Sequence, residues 1–453
     1  MSGTRQDRGT AGARPDRPTT DPRKRLMVLY APGALGPLEL VRTLRPVADL
    51  VIAVPEHLRD DPGIGMLSHM FDPVFFDPEG PGPDMTGIDG VVTYSDTLVR
   101  TAAALADKHG LPGQPPAAAV ALTDKFAQRT ALAAHGVDTI RCAVMREPAD
   151  WRAALAEVGL PAVIKPTAGA GSRNTFPVFD AATGEALVRE LLTPGADGPA
   201  ERELVLEELL VGVDQGDHGD YCSVESVVAD GQAVHLPVVS KFRLVPPFRE
   251  TGQFWPTHLP ARVREQATDI TERALKALDF RWGVTSTEIK LTARGPRIIE
   301  VNGRMGGFVN EMVAYAGGPD LVEQAARTAL GEAPDCPAPD ESRLVFQFNH
   351  IAPPNAVGLV RVDGVNEVKK LPGVLAYRQL IAPGQRMQPG VRTQELDMLN
   401  AAAADHDEMY GFLERMHDLL SFTLRVRDDD GEREVTLSAW ELPSAQALRG
   451  VRG

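Results

Sequence analysis

Cysteine is scarce in this 453-residue chain: Cys142, Cys222 and Cys336 stand far apart and form no CxxC pair. An odd, sparse set argues against a disulfide framework and for a reducing compartment. No apolar run approaches the roughly 20 residues that a membrane helix needs. Residues 1–25 are rich in Arg, Asp, Gly, Pro and Thr and carry no apolar h-region, so they read as a disordered tail rather than a signal peptide. A basic excess is also missing. Against 47 Lys and Arg stand 62 Asp and Glu, a net charge of −15, which a phosphate polymer or an anionic membrane surface would repel. Nucleic-acid and membrane partners are therefore not expected, and the protein is expected in the cytoplasm. The N-terminal part lacks a GxGxxG, so no dinucleotide is assigned to it.

What is present is an ordinary globular composition, 43% apolar and 24% charged, in a chain long enough for about three domains. LMVLYAP from Leu26, DLVIAVP from Asp49 and GVVTYS from Gly90 read as buried parallel strands with helical segments between them, a βαβ-type unit. Gly110 closes the helix after the third strand, and LPGQPP, 111–116, reads as a linker. Beyond it, helices are expected at LTDKFAQRTALAAHG, 185–192, 260–278 and GPDLVEQAARTALG. An Ala- and Met-rich helix is expected around 398–419. Antiparallel strands are expected on either side of Asp230 and Gly231, and a polar tail from Asp428.

The stretch TSTEIKLTARGPRIIEVNGRMGGFVN, 285–310, organises the rest. It reads as two strands joined by a turn at 292–295. With the turn centred on Arg294, Glu288 faces Glu300 and Ile289 faces Ile299, polar on one face and apolar on the other. Two directly opposed carboxylates repel each other, and a divalent cation would reverse that sign. Asn302 lies on the same face as Glu300, so two carboxylates and an amide oxygen converge as a hard-cation site. Arg304 and the flexible pair Gly306 and Gly307 follow.

Four further stretches carry polar groups that suit a nucleotide enzyme. VIKPTAGAGSRN, 163–174, puts Lys165 before a loop with Gly169 and Gly171, where a P-loop would have the lysine after the glycines. It reads either as a phosphate-cradling loop or as a mobile hairpin tip. Lys125, near a helix start, opposes the helix dipole unless an anion is close; alternatively it is a solvated surface lysine. LVLEELLVG, 204–212, reads as a hinge that offers Glu207, Glu208 and Leu210 to an adenine edge, or as an edge strand. KFRLVPPFRETGQFWP, 241–256, mixes charges and aromatics as a pocket wall does, though such a mixture also pins surface loops.

Taken in order, the motifs DK, IKP, EE, SVE, K…PFRETG, TEIK and EVNGRMGG resemble the ATP-grasp superfamily over most of the chain, from Leu26 to Val426. The resemblance is to the carboxylate–amine ligase branch that includes bacterial L-amino acid ligases (dipeptide synthetases). It implies an α/β (α+β ATP-grasp) fold. A Rossmann-like pre-ATP-grasp domain would span 26–117 and an ATP-grasp domain 118–336, with its lid at about 140–210. A C-terminal α+β segment would span 337–427, before the tail at 428–453. The implied activity is amide formation through an acyl phosphate, with ATP and Mg2+ (or Mn2+) as cofactors, and small carboxylates and amines as substrates. A homodimer is also expected, since such enzymes often dimerise.

Residue by residue, the resemblance assigns α- and β-phosphate to Lys125 and Lys165, and closure over the triphosphate to Gly169, Gly171 and Ser172. Adenine falls to Glu207, Glu208 and Leu210, and ribose to Asp220 with Asp214 as a rival. Metal falls to Glu288, Glu300 and Asn302, and the transferring phosphoryl group to Arg304. Glu250 would receive a substrate ammonium, with Lys241, Gln253, Gly307 and Phe308 around the substrate. Gln253 stands where those ligases have a histidine, and Phe308 holds the bulky position after the glycine pair. Two other readings remain open: a carboxyphosphate-using ATP-grasp enzyme, and a non-catalytic nucleotide-binding module.

Overall fold

The computed structural model describes residues 23–32, 35–194 and 200–448, so most of the N-terminal tail and the end of the C-terminal tail lie outside the described residues. The first unit is a four-stranded parallel sheet in the order Val74–Phe76, Asp49–Pro55, Arg25–Leu29, Gly90–Thr93. Its strands are near-continuous apolar runs, as parallel strands covered on both faces must be. The helix Val99–His109 follows and ends on Gly110, which takes the left-handed conformation.

The centre of the molecule is a nine-stranded antiparallel sheet. From one edge it runs Gly295–Asn302, Gly283–Thr292, His218–Ala229, Val239–Phe242, Gly252–Trp255, Leu344–Phe348, Asp397–Ala403, Val374–Gln379. The ninth strand, Gln232–His235, pairs with His218–Ala229 around Asp230 and Gly231, both at positive φ. The last three strands of the row come from beyond residue 337, so the C-terminal segment completes the same sheet that carries the acidic hairpin. A second four-stranded antiparallel sheet, ordered Cys142–Met145, Leu204–Glu208, Ala162–Pro166, Phe176–Val178, has its own core around Met145, Trp151, Ile164 and Leu206.

One face of the acidic hairpin is closed by the helix Ala261–Ala277. Its buried residues Ala267, Ile270, Thr271, Ala274 and Leu275 recur at helical spacing and meet Ile289, Leu291, Ile298 and Val301. The opposite face is left for Glu288, Glu300 and Asn302. Where Gly252 crosses Leu344–Phe348 the backbones come unusually close. Its φ is +143°, and a Cβ there would lie 2.0 Å from the Gln347 carbonyl oxygen. Gly252→Ala should cost more than about 2 kcal/mol. Urea unfolding measures this, and a variant as stable as the parent would contradict the strand contact.

Three expectations need correction. Ile289 pairs with Ile298, not Ile299, because Thr292 pairs with Gly295 across a two-residue loop and a bulge follows Glu288. The extra residue, Ile299, restores Glu288 opposite Glu300. The region 398–419 is not one helix. Asp397–Ala403 is a strand buried between two others, and the helix is His406–Leu419, capped by Asp405. Burial between strands overrides the helical preference of Ala and Met. Finally, the chain does not dissolve into a tail at Asp428. Ser421–Asp428 turns back as Gly431–Ser438, with paired charges on its solvent side (Arg425 with Glu434, Arg427 with Glu432), and Leu442, Ala445 and Leu448 are buried.

Candidate active site

The open face of the hairpin, the second antiparallel sheet and the loops between them enclose a cavity of about 270 Å³. Lys125, Lys165, Gly169, Gly171, Ser172, Glu207, Glu208, Leu210, Glu250, Glu288, Glu300, Asn302, Arg304 and Gly307 all line it. Residues as far apart in sequence as Lys125 and Gly307 thus meet in one place.

At the hairpin, Glu288 and Glu300 are register partners, and Asn302 Nδ2 donates to Glu288 Oε1 at 3.2 Å. Burial, then the neighbouring carboxylates of Glu250 and Glu300, push Glu288 well above the usual carboxylate range. Burial also opposes ionisation of Glu300, but Lys125 and Lys165 outweigh it and hold Glu300 low. Lys125 Nζ donates to Glu300 Oε1 at 2.7 Å and to the Gly169 carbonyl at 3.0 Å. Among the described residues no group of three or more His, Cys, Asp and Glu is arranged to hold a metal ion. The set here is two facing carboxylates and an amide, residue types that suit a hard divalent cation.

Lys125 opens the helix Lys125–Ala134, whose first turn is capped by Asp124 through Ala127 N at 2.8 Å. One turn on, Arg129 ties the hairpin to the hinge. It donates to the carbonyls of Ile298 (2.7 Å) and Ile299 (2.6 Å), beside the bulge, and to Glu207 Oε2 (2.9 Å). Lys165 also reaches Glu207 Oε2 at 2.9 Å. Glu207 is 3% exposed. Its burial favours the neutral acid, but the two cations prevail and hold its carboxyl down at about 2. Its other oxygen, Oε1, is buried without a hydrogen-bond partner. Glu208 is held by Arg141 and Arg294, each at 3.2 Å.

The glycine loop is stitched to its surroundings. Ser172 Oγ donates to the Phe248 carbonyl at 2.7 Å, and Thr393 N donates to the Gly171 carbonyl at 2.8 Å. The two candidate ribose acids separate clearly. The Asp214 side chain is 88% exposed, whereas Asp220 is held at 2.6 Å by Lys290, which lines the cavity.

Arg304 is clamped by Asp96, which accepts from Nε at 3.0 Å and from Nη2 at 2.8 Å. Asp96 lies just past the end of Gly90–Thr93 in the parallel sheet, so the first unit reaches into the site. Sequence reasoning missed it, although the carboxyl end of a parallel strand is where such residues gather. Asp96→Ala should lower kcat about 10- to 100-fold with little change in the KM for ATP, by loosening Arg304 without removing it. Steady-state kinetics decides, and unchanged kcat would contradict the clamp. Glu225, the acid of SVE, was also given no role. It is fully buried, accepting from Ser286 Oγ at 2.7 Å and from Gly306 N at 3.0 Å, and so anchors the glycine pair.

The substrate set divides. Glu250 and Gly307 stand on the cavity wall, joined by Thr393 and Glu395 from the C-terminal segment. Lys241 and Gln253 do not reach it. Both are buried, with Lys241 Nζ donating to Gln253 Oε1 at 2.8 Å. Phe308 takes a left-handed conformation, φ +55°, ahead of the short helix Val309–Tyr315.

No protein-family model matches the chain. Among characterised and uncharacterised relatives, it is 28% identical over 298 residues to the uncharacterized protein y4rH of Sinorhizobium fredii, covering 66% of this chain and 60% of that one. It is 29% identical to alanine–anticapsin ligase of Bacillus subtilis, over 50% of each chain. It is 30% identical to carnosine synthase 1 of Gallus gallus, over 55% of this chain and 28% of that one. The chain thus spans 60% or less of the length of these relatives. The crystal structure of an L-amino acid ligase from Bacillus licheniformis superposes with a TM-score of 0.67 at 20% identity, covering 88% of this chain and 98% of that one. Among the described residues no helix is long and apolar enough to cross a membrane. The chain is thus similar in sequence to alanine–anticapsin ligase and carnosine synthase 1 over about half its length, and shares its fold with the L-amino acid ligase.

Proposed function

We propose that the protein joins a small carboxylate, such as an amino acid, to an amine at the cost of ATP, acting in the cytoplasm as a homodimer. The observation that carries this reading is the convergence of Glu288, Glu300, Asn302, Lys125, Lys165 and the Asp96-clamped Arg304 on one cavity. A relative named for ligating alanine supports an amino acid as one substrate.

In this reading a substrate carboxylate oxygen attacks the γ-phosphorus and ADP leaves. The amine then attacks the carbonyl carbon, the C–N bond forms, the C–O bond to phosphate breaks and phosphate departs. Phosphorylation is needed because a free carboxylate has no adequate leaving group. Lys125 and Lys165 hold α- and β-phosphate, and the loop of Gly169, Gly171 and Ser172 lies over the triphosphate. Glu207 Oε1, buried and unpaired, offers an acceptor to the exocyclic amino group of adenine, beside Glu208 and Leu210. Asp220, steadied by Lys290, serves the ribose. Glu288, Glu300 and Asn302 would hold Mg2+, which when bound neutralises phosphate charge. Arg304 meets the charge that develops on the transferring group. Glu250 receives an ammonium. The sheet containing Cys142–Met145 and Ala162–Pro166 acts as the lid.

The test is ADP release from the purified protein, with Mg2+ and ATP, screened over pairs of amino acids and other small acids and amines. Release that requires both an acid and an amine is expected. Release driven by bicarbonate alone, or by no acid or amine at all, would overturn the reading.

A further inference from the structure

A row of polar side chains crosses the middle of the central sheet. Lys241 and Gln253 are register partners, as are Gln253 and Gln347, and Gln347 and Asn400. Four adjacent strands therefore put their polar side chains side by side, and all four are buried, at 6%, 3%, 1% and 0% exposure. Buried groups of this kind are costly unless every one is satisfied.

The row satisfies itself in one direction. An ammonium only donates, so Gln253 must turn its Oε1 to Lys241 Nζ, at 2.8 Å. Its Nε2 then faces Gln347 Oε1 at 3.3 Å, and Gln347 Nε2 donates to Asn400 Oδ1 at 3.1 Å. Asn400 Nδ2 donates to Glu311 Oε2 at 3.0 Å, and Glu311 pairs with Arg378 at 2.5 Å. A cation at one end and a carboxylate at the other fix the orientation of all three amides.

Two of these amides have spare donors, and both go to the same turn of backbone. Gln253 Nε2 lies 3.5 Å from the Gly307 carbonyl, and Gln347 Nε2 donates to the Phe308 carbonyl at 3.1 Å. Phe308 is at φ +55°, a conformation that a non-glycine residue keeps only when its surroundings impose it. Gly307, next to it, lines the same cavity as Arg304 and Glu250. The row therefore ends its hydrogen bonding on Gly307 of the cavity wall and on Phe308 beside it.

We propose that Gln347 and Asn400 are positioning residues for substrate selection: through the amide row they hold the backbone of Gly307 and Phe308, and so shape the cavity wall against which the carboxylate substrate's side chain lies. The proposal rests on the ligase reading for its kinetic readout, but not for its structural one. It makes selectivity a property of the C-terminal segment, whose strands carry Gln347 and Asn400, as well as of the cavity residues themselves.

Gln347→Met keeps the length of the side chain and removes both amide functions. Arg378→Gln releases the far end of the row from a side chain that is 43% exposed, and serves if the first variant does not fold. The ratio of kcat/KM between a small and a large carboxylate substrate should change about tenfold in Gln347→Met, and in the same direction in Arg378→Gln, with the KM for ATP held within about twofold. Amide hydrogen exchange at 306–309 should quicken about tenfold in the same variants. An unchanged ratio in a folded variant, or unchanged exchange at 306–309, overturns the proposal. A parent protein with no carboxylate-dependent turnover counts against the ligase reading instead, and the exchange measurement then decides the proposal alone.

Discussion

Replacing Arg304 with Met should lower kcat for ADP release by about 10³-fold or more while leaving nucleotide binding nearly intact. Methionine fills similar space but cannot meet charge on a transferring phosphoryl group. Arg304 spends two donors on Asp96 and one, at 2.7 Å, on the Met305 carbonyl, so its guanidinium is held still before reaction. Burial opposes its charge, but Asp96 and then Glu288 and Glu300 keep it firmly protonated. A group fixed in this way contributes in the transition state rather than by following the substrate. Calorimetric titration with ADP or a non-hydrolysable ATP analogue measures the binding side, and single-turnover kinetics the chemical side. Turnover equal to the parent's would remove Arg304 from the chemistry.

Glu207→Ala should cost about 3–5 kcal/mol of stability, the largest structural effect expected at the site. The substitution leaves Arg129 and Lys165 buried without their shared carboxylate. Because Arg129 also grips the carbonyls at the hairpin bulge, the loss should spread to the acid pair. The folded protein holds Glu207 down to about 2, below its ordinary value of 4.5. Its contribution is therefore complete above about pH 4.5 and falls away as the pH drops toward 2. Urea unfolding of the parent and of Glu207→Gln from pH 7 down to pH 3 should show a gap that narrows with acidification. A gap that stays constant or widens would contradict the assigned pairing.

The acidic hairpin was legible because its information is local. Period-two alternation puts Glu288, Glu300 and Asn302 on one face, and the structure brings all three to the cavity. The bulge was not legible, since nothing in IIEVN distinguishes a two-residue loop plus one extra residue from a symmetric three-residue loop. Asp96, Arg129 and Glu225 were missed for another reason. Each acts on a group far away in sequence: Asp96 on Arg304, Arg129 on Glu207, Glu225 on Gly306. Such pairs become visible only when the sheets are assembled. Arg129 did carry a signal, standing one helical turn after Lys125 on the same side. Lys241 and Gln253 are put at the substrate by the resemblance, Gln253 standing where those ligases have a histidine. In the fold they lie on the same face of the sheet as Glu288, but bond to each other in the buried amide row and stop short of the cavity lining.

The measurement that most directly tests the account follows one oxygen atom. With a carboxylate substrate labelled with oxygen-18 in both carboxyl positions, an acyl-phosphate route transfers one label to the released phosphate for each amide formed. Mass spectrometry of the phosphate should show that single label. Phosphate released without label while amide accumulates would contradict the assignment of this cavity to carboxylate activation.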